Sequence, residues 1–425
     1  VLTKQKFIFF ILGSGVFLSY YCILAQTNYW QQFYNNQTLT ILNWIYSVAW
    51  TVGAYIVIPL QKIWGSRTFA IIQFFVNAIC LIIIIPLRLV ENEILRLILT
   101  MIPIFLSGLV QHLYLPAMIS CSSKISSIFV NIMYIGTGAF SLLIQLIEDL
   151  ITLILPAHQE EKEYEQSLIV NAWLFYSITD VILLICLITF FYLEKNFPET
   201  MQHGRKQKLQ IEKYQQIDDL LQVETESNQA EQPEKPQKNK EQNDKATQKK
   251  VYKKLLPLSI ALGCCNIATC LMFPMFVTAI PSKYLMETQG KPNSQWFNLW
   301  IMTTFLAFDF VGRTLPLIKW VSRMKVRTLI ILCYARYAFC LIIPMMVFPK
   351  ATETTHPLIY NDVLTFIVVA LMGVQGESMA TLSFMKYQEL CDSNEEKQIG
   401  SYFLNCINHF GWFIGGLASL AFLPL

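Results

Sequence analysis

The chain has 425 residues, 54% of them hydrophobic and only 14% charged, against about 25% charged in a soluble domain. The apolar residues fall in long runs, not in helical stripes, so the composition excludes an ordinary soluble globular protein and points to a polytopic α-helical membrane protein. The formal net charge is +3, divided among short loops and a mixed-charge linker, so nucleic-acid binding is not expected.

In chain order the runs predict eleven spans, near 5–25, 40–60, 67–89, 95–119, 125–155, 167–193, 254–280, 295–319, 325–349, 362–386 and 398–423. Each is long enough to cross a bilayer at about 20 residues per helix. Lys and Arg in short loops set the orientation. Lys4, Lys6, Lys62, Arg67, Lys124, Lys319, Arg323, Lys325 and Arg327 fall on one side, which places the N-terminus in the cytoplasm. The opposite side has an uncharged loop at 26–38 and an acidic one with Glu160, Glu161, Glu163 and Glu165. No cleavable signal peptide is expected, since the first apolar run leads straight into a second span.

Residues 195–253 are rich in Gln, Lys, Glu and Asn and hold too little apolar surface to fold alone. They read as a cytoplasmic linker, with Ile211–Val223 as a short amphipathic helix and the whole segment as a handle for partners in a membrane complex. The linker divides the chain into an N-terminal half (1–194), itself (195–253) and a C-terminal half (254–425). The six-plus-five arrangement is like a major-facilitator two-half bundle, whose site lies between the halves.

The costly residues are the polar ones at membrane depth. An unpaired charge there costs on the order of 3 kcal/mol on the lenient scale. Asp309 and Arg313 stand four apart in Phe308-Asp309-Phe310-Val311-Gly312-Arg313, hence on one helix face. Paired, they either line a polar path or tie helices together; both readings stand. Gln111, His112, Asp180, Arg336, Glu377, Asn405, Asn408 and His409 also fall within spans. Gln111 offers donors and an acceptor suited to a sugar or a base edge. For single Asn or His residues, helix-packing hydrogen bonds are the plainer reading. Arg336, near a span end, is expected to snorkel. Small residues at Gly13-Ser14-Gly15, Gly136-Thr137-Gly138 and Gly411 with Gly415-Gly416 read as helix-packing faces, and Pro274 as a break in span 7. The eleven cysteines lie mostly within spans and lack metal spacing, so they read as free thiols. With no nucleotide loop, metal cluster or nucleophile constellation, neither enzyme activity nor a cofactor is expected.

These motifs in this order resemble the equilibrative nucleoside transporters. Phe308-Asp309-Phe310-Val311-Gly312-Arg313 is similar to that family's F-D-x-x-G-R on span 8. Phe273-Pro274 with Val277-Thr278, Ala335-Arg336 with Phe339, Leu12-Gly13-Ser14-Gly15, Gly400, and Gly411 with Gly415 resemble its motifs on spans 7, 9, 1 and 11. The resemblance implies facilitated diffusion of nucleosides or nucleobases by alternating access. Asp309 and Arg313 would bind the sugar or gate the cavity, Gln111 would hold the base, and Tyr20 or Tyr21 would form an aromatic wall.

The chain departs from the family at Ser19-Tyr20-Tyr21 (P-W-N in the family), at Leu306 (Asn), at Leu341 (Pro) and at Gln375-Gly376-Glu377, which adds a carboxylate. Glu377 and Asp309 could titrate and couple transport to protons. A rival expectation is a transport-inactive structural subunit of a larger membrane assembly, such as an organellar one. The membrane is expected to be the plasma membrane or an endomembrane, with the mitochondrial inner membrane as the alternative. A glycan at the Asn36-Gln37-Thr38 sequon would exclude mitochondria.

Overall fold

A computed structural model describes residues 2–34, 38–60, 63–154, 161–197, 237–292, 294–352 and 354–422. The Asn36 sequon, Lys62 and the expected helix at 211–223 lie outside the described residues. Among those described, the structure is helical throughout, without strands.

The first group of helices comprises α1 (Leu2–Ser14), α2 (Leu18–Ala25), α3 (Thr27–Phe33), α4 (Thr38–Leu60), α5 (Ser66–Leu87), α6 (Glu93–Ile125), α7 (Ser127–Ile154) and α8 (Glu161–Asn196). The second comprises α9 (Gln237–Met272), α10 (Met275–Thr278), α11 (Lys283–Gln289), α12 (Gln295–Thr314), α13 (Lys319–Ser322), α14 (Val326–Ala335), α15 (Phe339–Val347), α16 (Asp362–Glu389) and α17 (Asn394–Leu420). Helices pack chiefly within their own group. Two pairs, α4 with α17 and α7 with α12, carry most of the packing between groups.

Among the described residues, eight helical stretches are long and apolar enough to cross a membrane, nine if α1 and α2, bent by 46° at Gly15–Phe17, count as one crossing. The sequence expectation of eleven also needs α12 and α17, which have 20 and 27 residues. Both fall short in apolarity because buried Asp309 and Arg313 on one, and Asn405, Asn408 and His409 on the other, occupy inward positions. Outward faces are apolar: Phe75, Val181, Ile331 and Leu371 are all exposed. Such a continuous apolar exterior is stable only against lipid.

One break lies where the sequence places it, and two places differ from the sequence expectation. Pro274 stops α9 at Met272, since proline has no N–H to continue the ladder. Span 9 is two helices joined by a 3-10 turn at Arg336–Ala338. Helix α9 begins at Gln237, so the last part of the expected linker is already helical. Lys, Gln and Ala are good helix formers and extend a helix nucleated by its apolar part. At this end Lys250 and Lys254 meet Asp392 in the loop between α16 and α17 at 3.7 and 3.1 Å.

The small-residue faces are packing surfaces. A Cβ on Gly13 would collide with the Met133 carbonyl, and one on Gly136 with the Phe10 carbonyl. That reciprocal contact brings α1 and α7 backbone to backbone, and Thr137 Oγ1 donates to the Gly13 carbonyl at 2.8 Å.

Candidate functional site

Between the two groups lies a cavity of about 50 Å³, lined by Phe17, Tyr20, Tyr21 and Trp50 from the first group and by Arg313, Glu377, Asn408, His409 and Trp412 from the second. Its charged corner is built around Arg313. Helix periodicity sets Asp309 one turn before it, and Arg313 Nε donates to Asp309 Oδ2 at 2.8 Å. The Glu377 carboxylate of α16 lies 2.9 Å from Arg313 Nη2, and the same nitrogen donates to Tyr21 Oη at 3.2 Å. The Tyr134 ring faces the guanidinium from α7, 6.0 Å from its carbon. Room for Arg313 comes from Gly138, where a Cβ would lie 2.5 Å from Arg313 Cδ.

Exposure distinguishes the three charged groups. The Arg313 and Asp309 side chains are 3% and 2% exposed, whereas Glu377 is 20% exposed. Glu377 is the carboxylate that the cavity meets, and Asp309 stands behind the arginine without lining the space. Of this pair Arg313 lines the cavity and Asp309 does not, and their contact lies within α12.

Arg336 does not snorkel. It is 1% exposed, and its Nη1 donates to the Met372 carbonyl at 2.8 Å and to Gln375 Oε1 at 2.6 Å. Gly376 leaves the space: a Cβ there would stand 2.6 Å from Arg336 Nη1. The Gln375-Gly376-Glu377 stretch thus serves two arginines, Gln375 and Gly376 receiving Arg336 while Glu377 reaches Arg313. Two carboxylates and two guanidiniums balance formally, which makes their shared burial affordable.

Gln111 does not reach the cavity. It accepts from the Trp50 indole N–H at 3.2 Å and donates to Ser19 Oγ at 2.5 Å. Ser19 in turn donates to Asn77 Oδ1 at 2.6 Å. This chain fixes the Trp50 ring, which touches Tyr20, Phe17 and Trp412 with centroids 4.8, 5.4 and 5.7 Å away. Tyr20, itself buried, donates to Asn43 Oδ1 at 2.8 Å. An aromatic wall exists, with Trp50 at its centre and Gln111 acting behind it.

Sequence reasoning missed Trp50, Tyr134 and Asn266, which also line the cavity. Asn266, a polar residue inside α9, was a visible signal; it donates to Asn408 Oδ1 at 2.5 Å. Trp50 and Tyr134 carried none, because aromatic residues in spans are usually packing. Glu148 was missed too. It is buried in the first group and accepts from Gln26 at 2.5 Å and Asn171 at 3.1 Å.

The groups also touch at two further points. Thr303 of α12 donates to Asp149 of α7 at 2.6 Å. In the cavity wall, Tyr134 stacks on Phe384 of α16 with centroids 5.3 Å apart.

The fold is that of solved major facilitator transporters. The transporter FucP in its outward conformation superposes with a TM-score of 0.58 at 13% identity, covering 98% of this chain and 95% of that one. A variant of the E. coli fucose:proton symporter FucP gives 0.54 at 14%, covering 97% and 96%. A peptide transporter, POT, bound to sulfate gives 0.51 at 12%, covering 99% and 94%. Comparison with curated protein sequences gives no match. The nucleoside transporter sequence family matches residues 101–423, more than half of the chain and inclusive of the Arg313 site. On that match the protein, a multi-pass helical membrane protein, belongs to the nucleoside transporter family.

Proposed function

We propose that the protein carries a nucleoside or nucleobase across its membrane by alternating access, the two helix groups acting as halves that rock about the central cavity. The observation that carries this reading is the junction of Arg313, Asp309, Glu377 and Tyr21 with an aromatic wall around Trp50. Stacking surfaces suit a base, and a carboxylate suits the paired hydroxyls of a ribose or the N–H edge of a base. A cavity of about 50 Å³ is far below the roughly 300 Å³ at which ligand pockets begin. The substrate therefore requires a wider state, reached by breaking Asp149–Thr303 or Tyr134–Phe384.

Two carboxylates share one guanidinium, and only Glu377 is open to the cavity. Transport by facilitated diffusion and transport coupled to protons both fit this arrangement, and Glu377, as the cavity-facing carboxylate, is the residue on which the two divide. Of the residues that depart from the family pattern, Tyr20, Tyr21 and Glu377 line the cavity, whereas Ser19, Leu306 and Leu341 do not. That favours altered recognition over a transport-inactive structural subunit. The N-terminus and the segment joining α8 to α9 lie on the cytoplasmic side in this reading.

Purified protein in proteoliposomes should take up labelled purine or pyrimidine nucleosides, and a faster rate with an inward proton gradient would mark the coupled cycle. Absence of uptake for every nucleoside and nucleobase tried would sink the proposal. Equal rates with and without the gradient would leave transport standing and remove the coupling.

A further inference from the structure

Beside the cavity two histidines from different halves meet. His112 on α6 and His409 on α17 place their Nε2 atoms 2.6 Å apart. Both residues are buried, 0% and 1% exposed. Asn405 Oδ1 lies 3.0 Å from the same His409 nitrogen. An imidazole nitrogen carries either one hydrogen or one lone pair. The Asn408 amide nitrogen lies 3.4 Å from His409 Nε2 as well, and a single hydrogen on His409 Nε2 cannot serve His112 Nε2 and Asn405 Oδ1 equally. The Nδ1 of each ring has no hydrogen-bond partner, so no contact on that side selects the tautomer. With the proton on Nδ1, both Nε2 lone pairs face one point.

We propose that His112 and His409 form a binding site for a divalent first-row metal ion of the zinc class, bridging the two halves. Each imidazole would give Nε2, Asn405 would give Oδ1, and water from the cavity, which His409 lines, would complete a four-coordinate shell. Zinc–nitrogen bonds of about 2.0–2.1 Å in a tetrahedron set two nitrogens about 3.3 Å apart. The rings need only part slightly to admit the ion. No group of three His, Cys, Asp or Glu side chains suited to a metal occurs among the described residues. The site is thus weaker than a four-ligand structural one, and its ion exchanges. While bound, the ion ties α6 to α17 and holds the halves in the present arrangement. Its effect is to stop the rocking, whatever the substrate.

The test uses the full chain, free of any histidine tag, in nanodiscs. Cobalt(II) is the optical probe and zinc the competitor. One equivalent of cobalt should give visible d–d absorption, abolished by zinc and by a chelator. Zinc, and not magnesium, should raise the thermal transition. His112→Gln and His409→Gln should each weaken zinc binding at least tenfold, about 1.4 kcal/mol, while His356→Gln, in an exposed loop, should bind as the unaltered protein does. Lack of the cobalt band, or unchanged affinity in both cavity variants, would overturn the site. Should either variant fail to fold, the cobalt titration of the unaltered protein decides alone. None of these readouts depends on nucleoside uptake.

Discussion

Glu377 meets the Arg313 guanidinium at 2.9 Å from a neighbouring helix, one contact beyond the Asp309 partner that Arg313 has on its own helix at 2.8 Å. The arginine thus has a buried partner and a cavity-facing partner, and they should answer differently to mutation.

Asp309→Ala leaves Arg313 buried with only the half-open Glu377 beside it. Removing one member of a buried pair costs about 3–5 kcal/mol. The variant should lose most of its monodisperse fraction and melt well below the unaltered protein in a size-exclusion thermal ramp. A melting temperature unchanged by this substitution would show that the pair contributes little to the fold.

Glu377→Gln keeps the volume and leaves the Asp309–Arg313 contact in place. We expect a folded protein with near-normal melting, because the side chain is 20% exposed. Any response of uptake to the proton gradient should be lost. A variant that still responds to the gradient as the unaltered protein does would exclude Glu377 as the coupling group.

Gly138→Ala puts a methyl group 2.5 Å from Arg313 Cδ and 3.1 Å from the Phe310 Cα. Overpacking of this kind costs about 1–3 kcal/mol, and the arginine must shift toward the cavity. Uptake should fall about tenfold, equivalent to about 1.4 kcal/mol, with fold retained. Normal uptake would mean that Arg313 has slack on its α7 side.

Gln111→Leu removes the acceptor for the Trp50 indole N–H and the donor to Ser19. A lost buried hydrogen bond costs about 1–3 kcal/mol. The expected signature is a change in tryptophan fluorescence and weaker substrate binding, since Trp50 lines the cavity and Gln111 does not. If Gln111 contacted substrate directly, binding would weaken with Trp50 emission unaltered.

Glu396 stands before the apolar part of α17. It accepts from the Asp392 N–H at 2.8 Å and from Lys250 at 3.0 Å, while Ser393 caps the helix by accepting from the Glu396 N–H at 3.1 Å. The backbone N–H first, and Lys250 second, hold its carboxyl below the usual range. A carboxyl lowered on folding stabilises above its unfolded value, about 4.3, and the gain is lost as pH falls through the folded value. Glu396→Gln should be less stable at pH 7, by up to about 1 kcal/mol, the upper range of an ion pair with an exposed lysine. It should also show less loss between pH 5 and pH 3, so identical acid profiles would refute the contribution.

Much of the architecture was legible because lipid imposes a coarse rule. A span must be long, apolar and helical, and the breaks at Pro274 and the close contacts at Gly13 and Gly136 follow from local chemistry. The Asp309–Arg313 pair was legible for the same reason, since a spacing of four makes the contact within one helix. Pairing across helices was not. Glu377 could be seen as a costly carboxylate, but only packing of α16 on α12 brings it to Arg313. Arg336 read as a snorkelling cation because its sequence neighbours say nothing of the Met372 carbonyl 36 residues away. Gln111 looked like a ligand group until folding set Trp50 in front of it. The sequence by itself determined the helical, membrane-spanning character and the identity of the expensive residues, because both depend on composition and local periodicity. The tertiary structure alone decided which expensive residues share a charge, which face the cavity and which two histidines touch, because those contacts join different helices, from tens to hundreds of residues apart along the chain.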